Sequence, residues 1–207
     1  MSKRGALKIH SIGGIQVADV THVLTTLNNT YNSICVYELL LDAALRYERR
    51  GLPAFYFGSA AFSFLWESRF GHIRNWPPDP HVLATFIAPR DRLILKSVEL
   101  HSPGFWEILG SLNPLETIRK WVGDAHERRK DREYREAAER DRLDLENRLL
   151  QTNLMSKQIE LMKSVGATES DLAPFRNVLL IDPLLKLERL QDRGLIDGTD
   201  DIDKDAE

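Results

Sequence analysis

Residues 124–142 read DAHERRKDREYREAAERDR, with seven acids and seven bases in nineteen positions and neither proline nor glycine. Acid-first pairs four residues apart (Asp124 with Arg128, Asp131 with Arg135, Glu136 with Arg140) favour a helix, as do the reverse pairs Arg129 with Glu133, Arg132 with Glu136 and Arg135 with Glu139. At about 0.2–0.5 kcal/mol each, such pairs keep a helix formed but cannot build a fold. No face of this helix is apolar, so none can enter a core. The run predicts a solvated helical stalk, residues 123–142, joining two segments that have cores. Continued to Val165 it would reach roughly 60 Å at 1.5 Å per residue, which predicts a projecting rod.

Upstream of the stalk the pattern is mixed. Residues 6–12 alternate Leu7 and Ile9 with Lys8 and His10, the period of a half-buried strand. Gly13-Gly14 signals a two-residue turn into a short return strand over 15–17. With Asp19 as N-cap, Val20, Val23, Leu24, Leu27, Tyr31, Ile34, Leu41 and Leu45 recur at helical spacing, predicting a helix over about 19–49 that Gly51 and Pro53 end. Residues 93–101 read as a second clear strand. Ser102-Pro103 predicts a short helix that Gly110 closes, and Asn113-Pro114-Leu115-Glu116 opens another with the pattern of a capping box. Both clear strands end in His-Ser (His10-Ser11 and His101-Ser102), which suggests one sheet with His10 and His101 as neighbours on its polar face. Residues 6–122 are therefore expected to form an α+β head, a small antiparallel sheet of three or more strands packed with helices.

Downstream the charge gives way to leucine. Leu143, Leu150, Leu154, Leu161 and Val165 lie along one line of a helix, and Leu145, Leu149, Met155, Ile159 and Met162 along another. Asn147 and Lys157 interrupt the first line, so heptads of a two-stranded zipper are not sustained. Thr168-Glu169-Ser170-Asp171 opens a further helix, residues 178–181 are fully apolar, and Asp182-Pro183 begins a last helix ended by Gly194. Residues 143–194 read as a helical hairpin whose two-sided apolar surface predicts self-association through Leu143, Leu145, Leu149, Leu150, Leu154, Ile159 and Leu161. Residues 195–207 carry six acids against Lys204 and are expected to be a disordered acidic tail.

The charge balance narrows the function classes. The net charge is −3 and the tail alone holds −5, leaving +2 on the other 194 residues. A body so close to neutral argues against a broad nucleic-acid surface. A single cysteine, Cys35, admits no internal disulfide and suggests a reducing, cytoplasmic setting. The opening MSKRGALKIH lacks the apolar run of a signal peptide. The uncharged stretch 51–66 is 16 residues long, short of the roughly 20 that span a bilayer.

No cofactor, metal or catalytic motif is legible. The six histidines form no HxxxH or HExxH pair, and Ser11-Ile12-Gly13-Gly14 lacks the lysine of a phosphate loop. Cys35, mid-helix among aliphatics, reads as a small core residue.

Two constellations stand out instead. Thr25, Asn28, Asn29 and Asn32 belong to a polar run inside an otherwise apolar helix, where such residues compete for backbone hydrogen bonds. They either order a neighbouring loop or, with His10 and His101, present a ligand or partner face. Phe55, Phe57, Phe62, Phe64, Trp66 and Trp76 form the second, as core, apolar ligand pocket or membrane-contacting surface.

The leading expectation is a non-enzymatic, self-associating scaffold or adaptor that engages an unidentified protein partner through its head. A ligand-sensing regulator with an aromatic pocket in 55–76, and a peripheral membrane protein using the same aromatics, are the alternatives.

Overall fold

A computed structural model describes residues 3–11, 16–49, 78–99, 103–131, 153–165 and 168–204. The fold is α+β. The elements are strand β1 (Arg4–Ser11), helix α1 (Val17–Arg49), the short helix α2 (Pro80–Leu83), strands β2 (Ile94–Glu99) and β3 (Gly104–Ser111), and helices α3 (Leu112–Asp131), α4 (Asn153–Val165), α5 (Glu169–Arg176) and α6 (Asp182–Asp192). The sheet is antiparallel with order β1-β3-β2.

β3 is the central strand, which corrects the short helix expected after Ser102-Pro103. Trp106 and Ile108 alternate into the core while Phe105 and Glu107 turn away, a period of two that outweighs the Ser-Pro signal. β1 pairs with β3, with His10 opposite Phe105, and β2 lies on the far side of β3. The expectation that His10 and His101 face each other across paired strands is thereby corrected, and His101 itself lies outside the described residues. The predicted return strand over 15–17 is replaced at its end by α1, which begins at Val17.

α1 is the axis of the molecule. Every residue from 30 to 37 is buried, because the sheet does not cover it alone: α2, α3, α4, α6 and the π-helical turn Asn177–Ile181 all pack on it. A helix enclosed on all sides must be apolar all round or satisfy its polar groups internally. Leu27, Tyr31, Ile34, Tyr37, Leu40 and Leu41 supply the apolar part.

α5, the π turn and α6 follow one another as continuous helix. Thr168 and Asp171 cap its start as a capping box, the Thr168 backbone N–H donating to Asp171 Oδ2 at 2.9 Å. The wider turn over 177–181 precedes Pro183, whose missing N–H a regular helix could not accommodate without a gap. Gly194, at φ 72°, ends the helix in the left-handed conformation, and the Leu195 N–H reaches back to the Leu190 carbonyl at 2.9 Å.

The segments expected as head and self-associating hairpin share one core. One apolar cluster runs from Leu7 and Ile9 through Leu27, Ile34 and Trp106 to Leu154, Leu161, Leu184 and Ile196. Leu154 and Leu161, expected at an intermolecular contact, are 1% and 0% exposed within the single chain. Ile159 packs partly buried against the same cluster. Leu143, Leu145, Leu149 and Leu150 lie outside the described residues. Of the charged run, residues 124–131 continue α3 without a break at Gly123, and 132–142 lie outside the described residues.

The acidic tail is corrected as well. Residues 197–203 run antiparallel to β1 on its free edge. Ala6 and Asp203 exchange both backbone hydrogen bonds, at 2.8 and 2.9 Å, and His10 N–H donates to the Gly198 carbonyl at 2.7 Å. Ile196 is fully buried and Ile202 nearly so, which anchors the strap at both ends. The two buried isoleucines and the backbone hydrogen bonds to the sheet edge together oppose the entropy cost of ordering this short acidic segment. Among the described residues, no helix is long and apolar enough to cross a membrane.

Candidate functional site

Glu38 and Asp42 lie four residues apart on α1, so they share one helical face, with Cys35 one turn before them. That face meets α4 on one side and the β3–α3 corner on the other. Lys157 of α4 reaches both carboxylates, with its Nζ 2.7 Å from Glu38 Oε1, 119 residues away in sequence, and 2.9 Å from Asp42 Oδ1. Glu38 Oε1 also accepts from Asn113 Nδ2 at 2.7 Å. Burial pulls the Lys157 ammonium downward, but the hydrogen bonds to Glu38 and Asp42 outweigh it and the pKa is raised. Lys157 is therefore a fixed cation, not a nucleophile or a base at neutral pH.

A second polar hub adjoins this triad. The Tyr31 hydroxyl donates to the Asp91 carbonyl and accepts from the Ser111 N–H, both at 2.6 Å. Asp91 sits in the single helical turn Pro89–Asp91, so Tyr31 fastens that turn to the end of β3. Gly110 makes this possible: a Cβ there would stand 2.8 Å from the Tyr31 ring. Burial pushes the Cys35 thiol up to about 12 despite a hydrogen bond with Tyr31, and the nearby Glu38 and Asp91 charges raise it further. The thiol stays protonated and has no thiolate to offer.

Between these hubs lies a cavity of about 610 Å³. Cys35, Glu38 and Asp42 form one wall, Ser111 and Asn113 another, Phe86 to Ala88 and Asp91 a third, and Lys157 closes the end. This size falls in the range of small-molecule sites, about 300–1,000 Å³, where a few convergent polar groups fix a ligand's orientation. Three carboxylates and two lysines (Lys3 and Lys157) face it, alongside an amide and a hydroxyl. Among the described residues no group of three histidines, cysteines or carboxylates is arranged to hold a metal.

The polar run of α1 divides. Thr25 and Asn28 are exposed, and Asn32 is enclosed in the core. Asn29, Thr26, Thr30 and Ser33 line a smaller cavity of about 220 Å³ against Asp182, Pro183 and Lys186. The Thr30 hydroxyl donates to the Pro183 carbonyl at 3.1 Å, so part of the run ties α1 to α6. Asn29 Oδ1 is shielded from solvent with no hydrogen-bond partner among the described residues. His10 lines neither cavity and pairs with Asp200 of the strap at 2.7 Å. Phe55, Phe57, Phe62, Phe64, Trp66 and Trp76 lie outside the described residues.

Sequence reasoning missed Glu38, Asp42, Asp91 and Lys157. Two signals pointed to them. Glu38 and Asp42 are the only acids in the otherwise apolar stretch 34–45, and they fall on one face. Lys157 breaks the leucine line of α4 where an exposed position would not have been needed. No protein-family model, curated protein or solved structure matches this chain.

Proposed function

We propose that this is a binding protein whose cleft between α1, α4 and the β3–α3 corner takes a small polar, amine-bearing molecule. The observation that carries this reading is the Glu38–Lys157–Asp42 cluster facing a cavity of about 610 Å³. Two carboxylates against one lysine leave acceptor capacity for an added ammonium, while Ser111 and Asn113 are placed to hydrogen-bond a polar remainder. The cleft spans elements from both halves of the chain, so an occupant would tighten their contact. That is the property a ligand-responsive regulator needs. A nucleophile activated for catalysis has no support here, given the protonated thiol of Cys35 and the ion-paired amine of Lys157.

The test is thermal denaturation against a panel of amines, amino acids and polyamines. An amine that raises the melting temperature of the wild type should lose its effect in Glu38→Gln and in Ala88→Phe. The second variant fills the cleft from an exposed wall residue without touching the ion cluster. Absence of any shift across the panel, or an equal shift in both variants, removes the reading.

A self-associating scaffold is the second reading. It is favoured by α3, which carries the charged run from the buried Val122 as unbroken helix to Asp131. Light scattering of the full chain tests it: a monomer across the accessible concentration range excludes it.

A further inference from the structure

The strap along β1 has the features of an occupied peptide-acceptor groove. Its seat is a free sheet edge, and an edge is a template for any extended chain of matching chemistry. Five backbone hydrogen bonds hold residues 197–203 to β1: those of Ala6 and Asp203, Asp200 N–H to the Lys8 carbonyl at 3.0 Å, His10 N–H to Gly198, and Asp197 N–H to the His10 carbonyl at 2.8 Å. Side chains add direction and charge. Asp200 meets His10, and Asp201 Oδ1 lies 3.1 Å from Arg119 of α3. Ile202 fits where Gly5 has no side chain, since a Cβ on Gly5 would stand 2.6 Å from Ile202 Cγ2 and 2.9 Å from the Asp203 carbonyl oxygen.

The strap also has a pivot. Gly194 at φ 72° is where the chain leaves α6, and only a turn of buried chain, Leu195 and Ile196, separates it from the first strap hydrogen bond. The acids Asp200 and Asp201 are exposed, so their ion pairs contribute little, and the segment is held mainly by its backbone and by the two isoleucines. Short edge segments held by few side-chain contacts open at lower free energy than the core they cover.

We propose that the β1 edge is an acceptor for the 195–204 segment of a second copy of this chain, taken up in exchange for its own strap. The seat already fits that sequence, and a two-fold exchange recovers every contact that opening breaks. Attachment in cis gives the chain's own strap an effective concentration of the order of millimolar. Exchange therefore becomes visible when cis seating is impaired.

The full-length chain tests this by complementation. Ile202→Asp spoils the strap and leaves the acceptor open. Gly5→Val blocks the acceptor and leaves a free, intact strap. Each variant alone should be monomeric by light scattering, and their mixture should give a one-to-one heterodimer. A labelled 195–204 peptide should bind the Ile202→Asp chain at least about tenfold more tightly than the wild type, whose own strap competes. It should not bind the double variant Gly5→Val/Ile202→Asp. A mixture of folded variants that stays monomeric, or a peptide that binds regardless of Gly5, overturns the proposal. If either variant fails to fold, hydrogen exchange on the wild type decides. The Ala6, His10, Asp200 and Asp203 amides must open before the β1–β3 ladder, and exchange only through global unfolding refutes a reversible acceptor.

Discussion

Truncating Leu161 to alanine should cost about 3 kcal/mol, within the roughly 2–5 kcal/mol that buried leucines lose through transfer and cavity terms. The magnitude follows from position. Leu161 is 0% exposed, on α4, in the cluster that includes Leu27, Ile34 and Leu184, so no water fills the space a smaller side chain leaves. For a chain of this length each kcal/mol moves the melting temperature by roughly 2–4 °C, giving a fall of about 6–12 °C. The assay is urea denaturation followed by far-UV circular dichroism, run at a low and a high protein concentration. A residue buried within one chain gives a loss independent of concentration, whereas a residue buried between copies gives a midpoint that rises with concentration. A cost below about 1 kcal/mol, as for an uncrowded surface site, or a midpoint that climbs with concentration, would refute the assignment of Leu161 to an intramolecular core.

Other changes should have smaller or opposite effects. Gly123→Ala should stabilise by about 0.5–1 kcal/mol, because the position is inside α3 and an added Cβ meets only Thr199 Oγ1 at 3.9 Å; chemical denaturation checks the sign. Gly110→Ala should destabilise by about 1–3 kcal/mol, since the new Cβ collides with the Tyr31 ring and unfastens the Asp91 turn. The hydrogen bond from Arg119 holds the Glu116 carboxyl below its ordinary range, so the unfolded chain binds the extra proton and this stabilisation is present above the ordinary glutamate pKa and lost as pH falls through the lowered value. The stability gap between wild type and Arg119→Ala should accordingly narrow as pH drops from neutral into the acid range, measured by urea midpoints; a constant gap would contradict the pairing.

Much of the fold was legible where one periodicity acted alone. The spacing of Val23, Leu27, Ile34 and Leu41 marks α1, and the alternation of Leu7 and Ile9 marks β1. The reading failed where two signals competed. Ser102-Pro103 suits a helix start and a turn into a strand equally well, and the alternation of Trp106 and Ile108 with Phe105 and Glu107, with pairing to β1 and β2, decides for β3. Leucines on two sides of α4 pointed to several neighbours, but the pattern could not distinguish other helices of the same chain from a second copy. The tail was misjudged because net charge dominates its composition, while two isoleucines and a free sheet edge decide its placement. The cleft escaped for a related reason. Its charges come from α1, the Asp91 turn and α4, and no local spacing links Glu38 to Lys157.

That link is also the most direct point of attack. Carbodiimide activation joins a carboxylate to an amine only when the two are in contact, and Glu38 and Lys157 are 2.7 Å apart. Treatment of the full chain, followed by peptide mass mapping of the monomer band, should return a Glu38–Lys157 amide together with the control link between Lys96 and Glu107, which are 3.1 Å apart on adjacent strands. Recovery of the control without the Glu38–Lys157 product, or its appearance only in a dimer band, would show that α4 does not fold back onto α1 within one molecule.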